Sequence, residues 1–130
     1  YKRQLQYSAV RAKKIFRKLE DRRGEGMVGG DEIELLAGAE IADDLWNLAL
    51  QCARRREVVD QAVSNLEFSL LAQHALDMAQ LFHKLYHSYP VVPEEDREIR
   101  RVRRAVFTLF STEMNILLEE LLGIPVPEEM

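Results

Sequence analysis

With 130 residues the chain is long enough for one domain and too short for two, so a multidomain enzyme within it is excluded. Its 47% hydrophobic and 31% charged content is globular, and a domain of this size buries roughly two thirds of its unfolded surface. The net charge of −4, from 18 Lys and Arg against 22 Asp and Glu, taken as a total argues against a nucleic-acid binder.

That total hides an asymmetry. Residues 1–23 hold nine basic and two acidic side chains, a local charge of +7 that leaves −11 for the other 107 residues. Screening confines attraction to phosphates to about 8 Å at physiological salt, so the local sign decides, and one end of the domain can face a polyanion. Cys52 has no partner for an internal disulfide, which fits a reducing compartment, and it is expected as a small core residue. No uncharged run exceeds nine residues, against about twenty for a membrane-spanning helix, so no span and no membrane partner are expected. A start at Tyr1, with neither initiator Met nor signal peptide and already in a charged helical pattern, is read as that of a piece of a longer protein.

From Lys2 to Leu19, Leu5, Ala9, Ala12, Phe16 and Leu19 recur at the four-three spacing of one helical face. Four glycines and no apolar period over Arg22–Gly30 predict a flexible loop. Asp31 is the expected N-cap, with Glu34 at the capping-box position, of a second helical stretch holding Leu35, Leu36, Ile41, Leu45, Trp46 and Leu48, which Gly38 can split. Arg54, Arg55 and Arg56 mark a break, and Val58, Val59, Ala62 and Val63 open a short helix. An apolar helix follows over Ser69–Ser88, ended by Pro90 and Pro93. The last helix is expected from about Pro93 to Leu122, with Gly123 as its C′ residue. No segment alternates with period two. The fold class read here is all-α, an antiparallel helical bundle forming a single domain over residues 1–130 with a Gly-rich loop at about 22–30.

Catalytic signals are weak. Gly24-Glu25-Gly26-Met27-Val28-Gly29 fits G-x-G-x-x-G, but a basic helix stands where a dinucleotide site needs a strand, so a linker is the better reading. His83 and His87 share a helical face, yet zinc needs a third ligand and the catalytic motif has Glu where this chain has Lys84, so partly buried histidines and no metal are expected. No Ser sits in a nucleophile elbow and Cys52 has no nearby His, so no catalytic residue is assigned. Glu94, Glu95, Asp96 and Glu98 read as a solvated helix start that complements the helix dipole.

The first helix carries more. On a 100° wheel, Arg3, Tyr7, Arg11, Lys14 and Lys18 fall in a narrow band opposite the apolar set. Unpaired bases stack on aromatic or guanidinium planes while Lys and Arg neutralise adjacent phosphates, and this band offers both. Periodicity alone is met equally by a helix that carries its cations for solubility.

At these residues the sequence resembles a known family. Leu5-Gln6-Tyr7-Ser8-Ala9-Val10-Arg11, with Ile15 and Arg17-Lys18, resembles the Q-Y-A-x-x-R helix that opens the DALR-type anticodon-binding domain of arginyl-tRNA synthetases. Met78-Ala79-Gln80-Leu81-Phe82-His83-Lys84-Leu85-Tyr86, then Pro90-Val91, is similar to the family's L-A-x-x-F-N-x-F-Y helix and its P-V. Leu121-Leu122-Gly123-Ile124-Pro125-Val126-Pro127-Glu128-Glu129-Met130 is similar to the terminal L-L-G-I-x-x-P-E-x-M. Gln4 and Ala9 stand where the family often has Tyr and His, and His83 where it has Asn.

The resemblance implies an all-helical domain that grips the anticodon stem-loop of arginine tRNA in the cytoplasm. A catalytic domain elsewhere in the same parent chain would use ATP with magnesium, and no cofactor or DNA partner is expected for this piece. On that basis Tyr7 stacks on a loop base, Arg11 meets a base edge or phosphate, and Met130 packs on the loop. Lys14 and Lys18 are added from the wheel as phosphate contacts. Phe82, Tyr86, Leu121 and Leu122 are expected in the core. Neither H-x-G-H nor K-M-S-K-S occurs, so the chain by itself should not aminoacylate. The alternative is an adaptor that uses the same fold to hold tRNA or a tRNA-modifying enzyme without ligase activity.

Overall fold

Helix α1 spans Lys2–Arg23 in the computed structural model, which describes residues 2–130 apart from the side chains of Glu32, Leu35 and Ala37. The side chain of Leu35, one of the apolar residues of the second helical stretch, thus lies outside the described residues. Leu5, Ala9, Ala12, Phe16 and Leu19 are all buried, as their spacing requires. The helix continues four residues past Leu19, because nothing before Gly24 breaks it and Arg22 and Arg23 suit the negative end of the helix dipole. Gly24 then takes φ +65°, and the Glu25 N–H reaches back to the Leu19 carbonyl at 3.5 Å. Only a residue without Cβ adopts that left-handed stop freely.

The Gly-rich segment is fastened rather than loose. Arg100 donates to both Glu25 carboxylate oxygens at 2.7 and 3.3 Å, and Arg104 donates twice to the Gly26 carbonyl at 3.2 and 2.9 Å. The Val28 N–H donates to Thr108 Oγ1 at 3.1 Å, and the Val28 side chain is buried. The flexible-loop expectation is corrected by these long-range partners on the last helix, which glycine content cannot foretell.

The second helical stretch is split at Gly38, as anticipated: a short helix α2 (Gly30–Glu34) runs into a 3₁₀ turn (Leu35–Gly38), and α3 begins only at Asp43 and ends at Cys52. Asp31 lies inside α2 rather than capping it. Leu45, Leu48, Ala49 and Cys52 face the core, whereas Trp46 is at the surface. A turn at residues 53–54 leads to α4 (Arg55–Asn65), which buries Val58 and Ala62 but leaves Val63 exposed.

Helix α5 occupies Ser69–Ser88, the bounds read from sequence. Helix α6 (Arg97–Asn115) starts later than expected, because Asp96 is the true N-cap: its side chain accepts from the Glu98 and Ile99 N–H groups at 2.9 and 3.2 Å. It also stops earlier, widening into a π turn over Ile116–Leu121, where the Leu122 N–H bonds to the Leu117 carbonyl at 2.8 Å. Gly123, at φ +66°, closes that turn, and the Ile124 N–H bonds to the Leu118 carbonyl at 2.7 Å. The wide turn rotates Leu121 outward to 38% exposure, and Leu122 is half-buried, so the expectation that both are core residues is corrected.

The described residues form helices and no strand. Phe82 of α5 stacks on Phe110 of α6 with centroids 4.2 Å apart and meets Phe107 edge-on at 5.5 Å. Arg103 of α6 stacks on Tyr89 beyond the end of α5, so α5 and α6 run antiparallel. Helix α1 instead runs parallel to α5: Tyr7 meets His83, Arg11 meets Tyr86, and the Arg23 Nε donates to the Val92 carbonyl at 3.0 Å.

Two outcomes follow. Phe82→Ala empties the centre of the aromatic cluster and should cost about 3–5 kcal/mol in urea unfolding. The Arg100 hydrogen bond, reinforced by the charge of Arg104, holds Glu25 below its ordinary carboxylate range. A folded pKa below the unfolded one stabilises above the unfolded value, and that gain is lost as pH falls through the folded value. Glu25→Gln should therefore destabilise the chain at neutral pH, and urea titrations at progressively lower pH should show the gap closing.

Candidate nucleic-acid interface

The outward band of α1 lies where the wheel places it, and Tyr7 is outside the bundle at 40% exposure. Beside it the Arg11 guanidinium is clamped between two rings, its carbon 4.6 Å from the Tyr7 centroid and 4.5 Å from that of Tyr86. It also donates to the Tyr7 hydroxyl oxygen. A planar cation attracted to both ring faces fixes the orientation of Tyr7 and still has N–H groups to spare, since guanidinium carries five. Tyr86, expected in the core, is half-buried because it forms one wall of this clamp.

The His83 ring lies 5.7 Å from that of Tyr7. Burial first, and then the neighbouring Arg11 and His87, hold His83 below the ordinary imidazole range. A neutral ring at physiological pH packs on Tyr7 without adding a charge to the band. Cys52 lies fully buried, and its thiol is pushed far up, mainly by burial.

The C-terminal tail returns to this helix. Gln6 Nε2 donates to the Pro125 carbonyl at 2.8 Å, Arg17 Nη2 to the Glu128 carbonyl at 3.0 Å, and Lys14 Nζ to the Met130 carbonyl oxygen at 3.5 Å. Gln6, Lys14 and Arg17 stand at i−4, i+4 and i+7 from Val10, so a tail bound to all three lies across Val10. That explains why Val10 is buried at 1% although it is on the outer half of the wheel.

Two grooves flank the ridge that Tyr7 and Arg11 make. One, of about 500 Å³, includes Lys14, Lys18, Arg22 and His87 in its lining and reaches the 90–93 turn. The other, of about 470 Å³, includes Arg3, Gln80, His83 and His87. All five residues expected at a site, Tyr7, Arg11, Lys14, Lys18 and Met130, are thus on one side of the molecule. Tyr7 and Arg11 touch, Lys14 reaches Met130, and Lys18 lines the groove one turn beyond Lys14 with no ion pair among the described residues.

The sequence profile described as the DALR anticodon binding domain matches residues 5–130. The chain belongs to that family. Among curated relatives, this DALR domain is similar to the arginine–tRNA ligase of Methanopyrus kandleri, at 32% identity over 127 residues, covering 97% of this chain and 20% of the relative. The enzyme of the same name from Clostridium acetobutylicum is 29% identical over 126 residues, covering 97% and 21%. That of Phocaeicola vulgatus is 30% identical over 130 residues, covering 97% and 20%. The DALR domain therefore spans about a fifth of the length of these relatives.

Sequence reasoning missed three participants: Tyr86 as a wall of the clamp, and Gln6 and Arg17 as anchors of the tail. Tyr86 was within reach, since it follows His83 by three residues on the helix whose His83 and His87 already marked this face. The tail anchors were not, because their partners lie more than a hundred positions away. Exposed ion pairs such as Arg17–Glu128 at 3.9 Å and Arg17–Glu129 at 3.6 Å contribute little. Deleting Glu128–Met130 should accordingly lower the unfolding free energy by about 1 kcal/mol or less in a urea titration.

Proposed function

We propose that this DALR domain is the anticodon-binding part of an arginine–tRNA ligase, holding the anticodon stem-loop of arginine tRNA. A catalytic domain of the same parent, using ATP and magnesium in the cytoplasm, would then charge the tRNA. The observation that carries the reading is the exposed Tyr7 ring, oriented by a stacked guanidinium, inside a band of cations whose Lys14 reaches Met130. A looped-out base stacks on that ring, and the free N–H groups of Arg11 meet its edge or a neighbouring phosphate. Arg3 to Lys18 spans about 22 Å of helix, enough for several successive phosphates. Met130 closes the far side of the loop through its side chain. No helix of the described residues is long and apolar enough to cross a membrane.

Fluorescence anisotropy with labelled arginine tRNA and a non-cognate tRNA tests this. Tyr7→Ala should weaken arginine tRNA binding about 5- to 100-fold, the value of one stacked base. Lys18→Ala should weaken both tRNAs alike and reduce the salt slope by about 1. Unchanged tRNA affinity in Tyr7→Ala and Arg11→Ala, with loss of a protein partner instead, would transfer the assignment to an adaptor.

A further inference from the structure

The histidine pair of α5 has no part in the reading above. His83 and His87 stand one helical turn apart, and both line the groove whose opposite wall carries Arg3, Tyr7 and Arg11 of α1. Among the described residues no acidic side chain lines this groove. Helices α3, α4 and α6 and the π turn also pack on α5 but send no side chain into the lining, and Lys84, next in sequence to His83, lies outside it. The charged and titratable groups that face His83 are therefore Arg3, Tyr7 and Arg11 on α1 and His87 on its own helix.

This set suits an anion. Among the described residues neither histidine makes a hydrogen bond and Arg3 has no ion pair, so ring nitrogens and a guanidinium stand ready around one groove with no carboxylate to neutralise them. In the domain alone the same grouping opposes a further positive charge: burial first, and then Arg11 and His87, hold His83 below the ordinary imidazole range. An anion in the groove reverses that balance, because an opposite charge within about 4–6 Å favours the protonated ring.

We propose that this groove is a phosphate site completed by a proton: His83, with His87 and Arg3, grips a phosphate of the bound RNA backbone, and His83 is protonated as that phosphate enters. This rests on the reading of the domain as a tRNA-binding one. The Tyr7 ring, 5.7 Å from that of His83, indicates which phosphate it is. A nucleotide whose base lies on Tyr7 has its own phosphate within a sugar's length of the imidazole. Because binding raises the pKa of His83, the gain in affinity is full below the value in the free domain and is lost as pH rises through the value in the complex. Lysine and arginine stay charged across that interval, so the cations of the band give no such response.

The test is anisotropy of labelled arginine tRNA with the 130-residue chain from about pH 8 to about pH 5.5, the interval in which imidazole titrates. Affinity should rise about tenfold as pH falls, the counterpart of a one-unit rise in the His83 pKa on binding. His83→Gln should remove that rise. NMR of the three histidine rings, with His83 assigned by the same variant, should show the His83 pKa higher in the tRNA complex than in the free chain. Inorganic phosphate alone should move the His83 resonances far less than tRNA does, since Tyr7 holds only the nucleotide. A rise in affinity that His83→Gln retains, or a His83 pKa that tRNA leaves unchanged, would overturn the proposal. So would an equal response to inorganic phosphate, which would give the groove to a free anion. Arginine tRNA binding that is retained but flat with pH removes this site alone, whereas absence of binding at every pH removes the anticodon-binding reading itself.

Discussion

The seam where α1 lies parallel to α5 is the constraint on which the rest depends. It takes the apolar stripe of α1 into the core, and the register that does so brings Tyr7 to His83 and Arg11 to Tyr86. One contact set therefore serves both stability and presentation. Slipping α1 by one turn would carry Arg11 off the Tyr86 face and Tyr7 off His83, leaving the Tyr7–Arg11 pair without support from α5. The orientation of an exposed aromatic side chain is ordinarily poorly determined, since solvent offers it several rotamers. Here a cation stacked on both rings and bonded to the hydroxyl removes that freedom before any ligand arrives, which reduces the entropy that binding must overcome.

The tail adds a second consequence of the same helix. Nine basic side chains within 23 residues repel one another, and the segment that returns to them carries Glu128 and Glu129. Arg17 takes up the two glutamates, while Lys18 and Arg3 are left open to solvent. The tail thus partitions the basic surface: Arg17 and Lys14 are engaged within the chain, and Lys18 and Arg3, one in each groove, stay available for an external polyanion. A net charge of −4 is compatible with this, because residues 1–23 have a local balance of +7 and the remaining −11 is carried by the other 107 residues.

Much of this was legible in the amino-acid order, and the parts that were not share a physical cause. The α1 stripe, the bounds of α5 and the stop at Gly123 follow from periodicity, proline and glycine, all of which act within a few residues. Burial of Leu5, Ala9, Ala12, Phe16 and Leu19 needed nothing else. What stayed hidden depends on contacts between distant positions. The Gly-rich segment looks mobile by composition, yet Arg100, Arg104 and Thr108 fasten it. Asp96 outcompetes Pro93 as the start of α6 because its carboxylate finds two N–H groups. Leu121 is hydrophobic and close to the core in sequence, but the π turn sets it on the outside. At the candidate interface the band itself was visible on the wheel, while the clamp needed a second helix to be placed beside the first.

The fastened loop bears on the interface as well. Without side chains between Gly24 and Gly30 that continue a helix, α1 must be stopped and its end held by other means. The left-handed turn at Gly24 and the Arg100–Glu25 pair do this together, the first redirecting the chain and the second binding it to α6. Because that pair is largely buried, its geometry is bidentate and the field of Arg104 adds to it, it resists salt better than the exposed pairs of the tail. The end of α1, from which Lys18 and Arg22 project, is thereby kept in place under the ionic conditions that weaken phosphate binding. A decline of tRNA affinity with salt would then report loss of counterion release at the band itself rather than loosening of the helix that carries it.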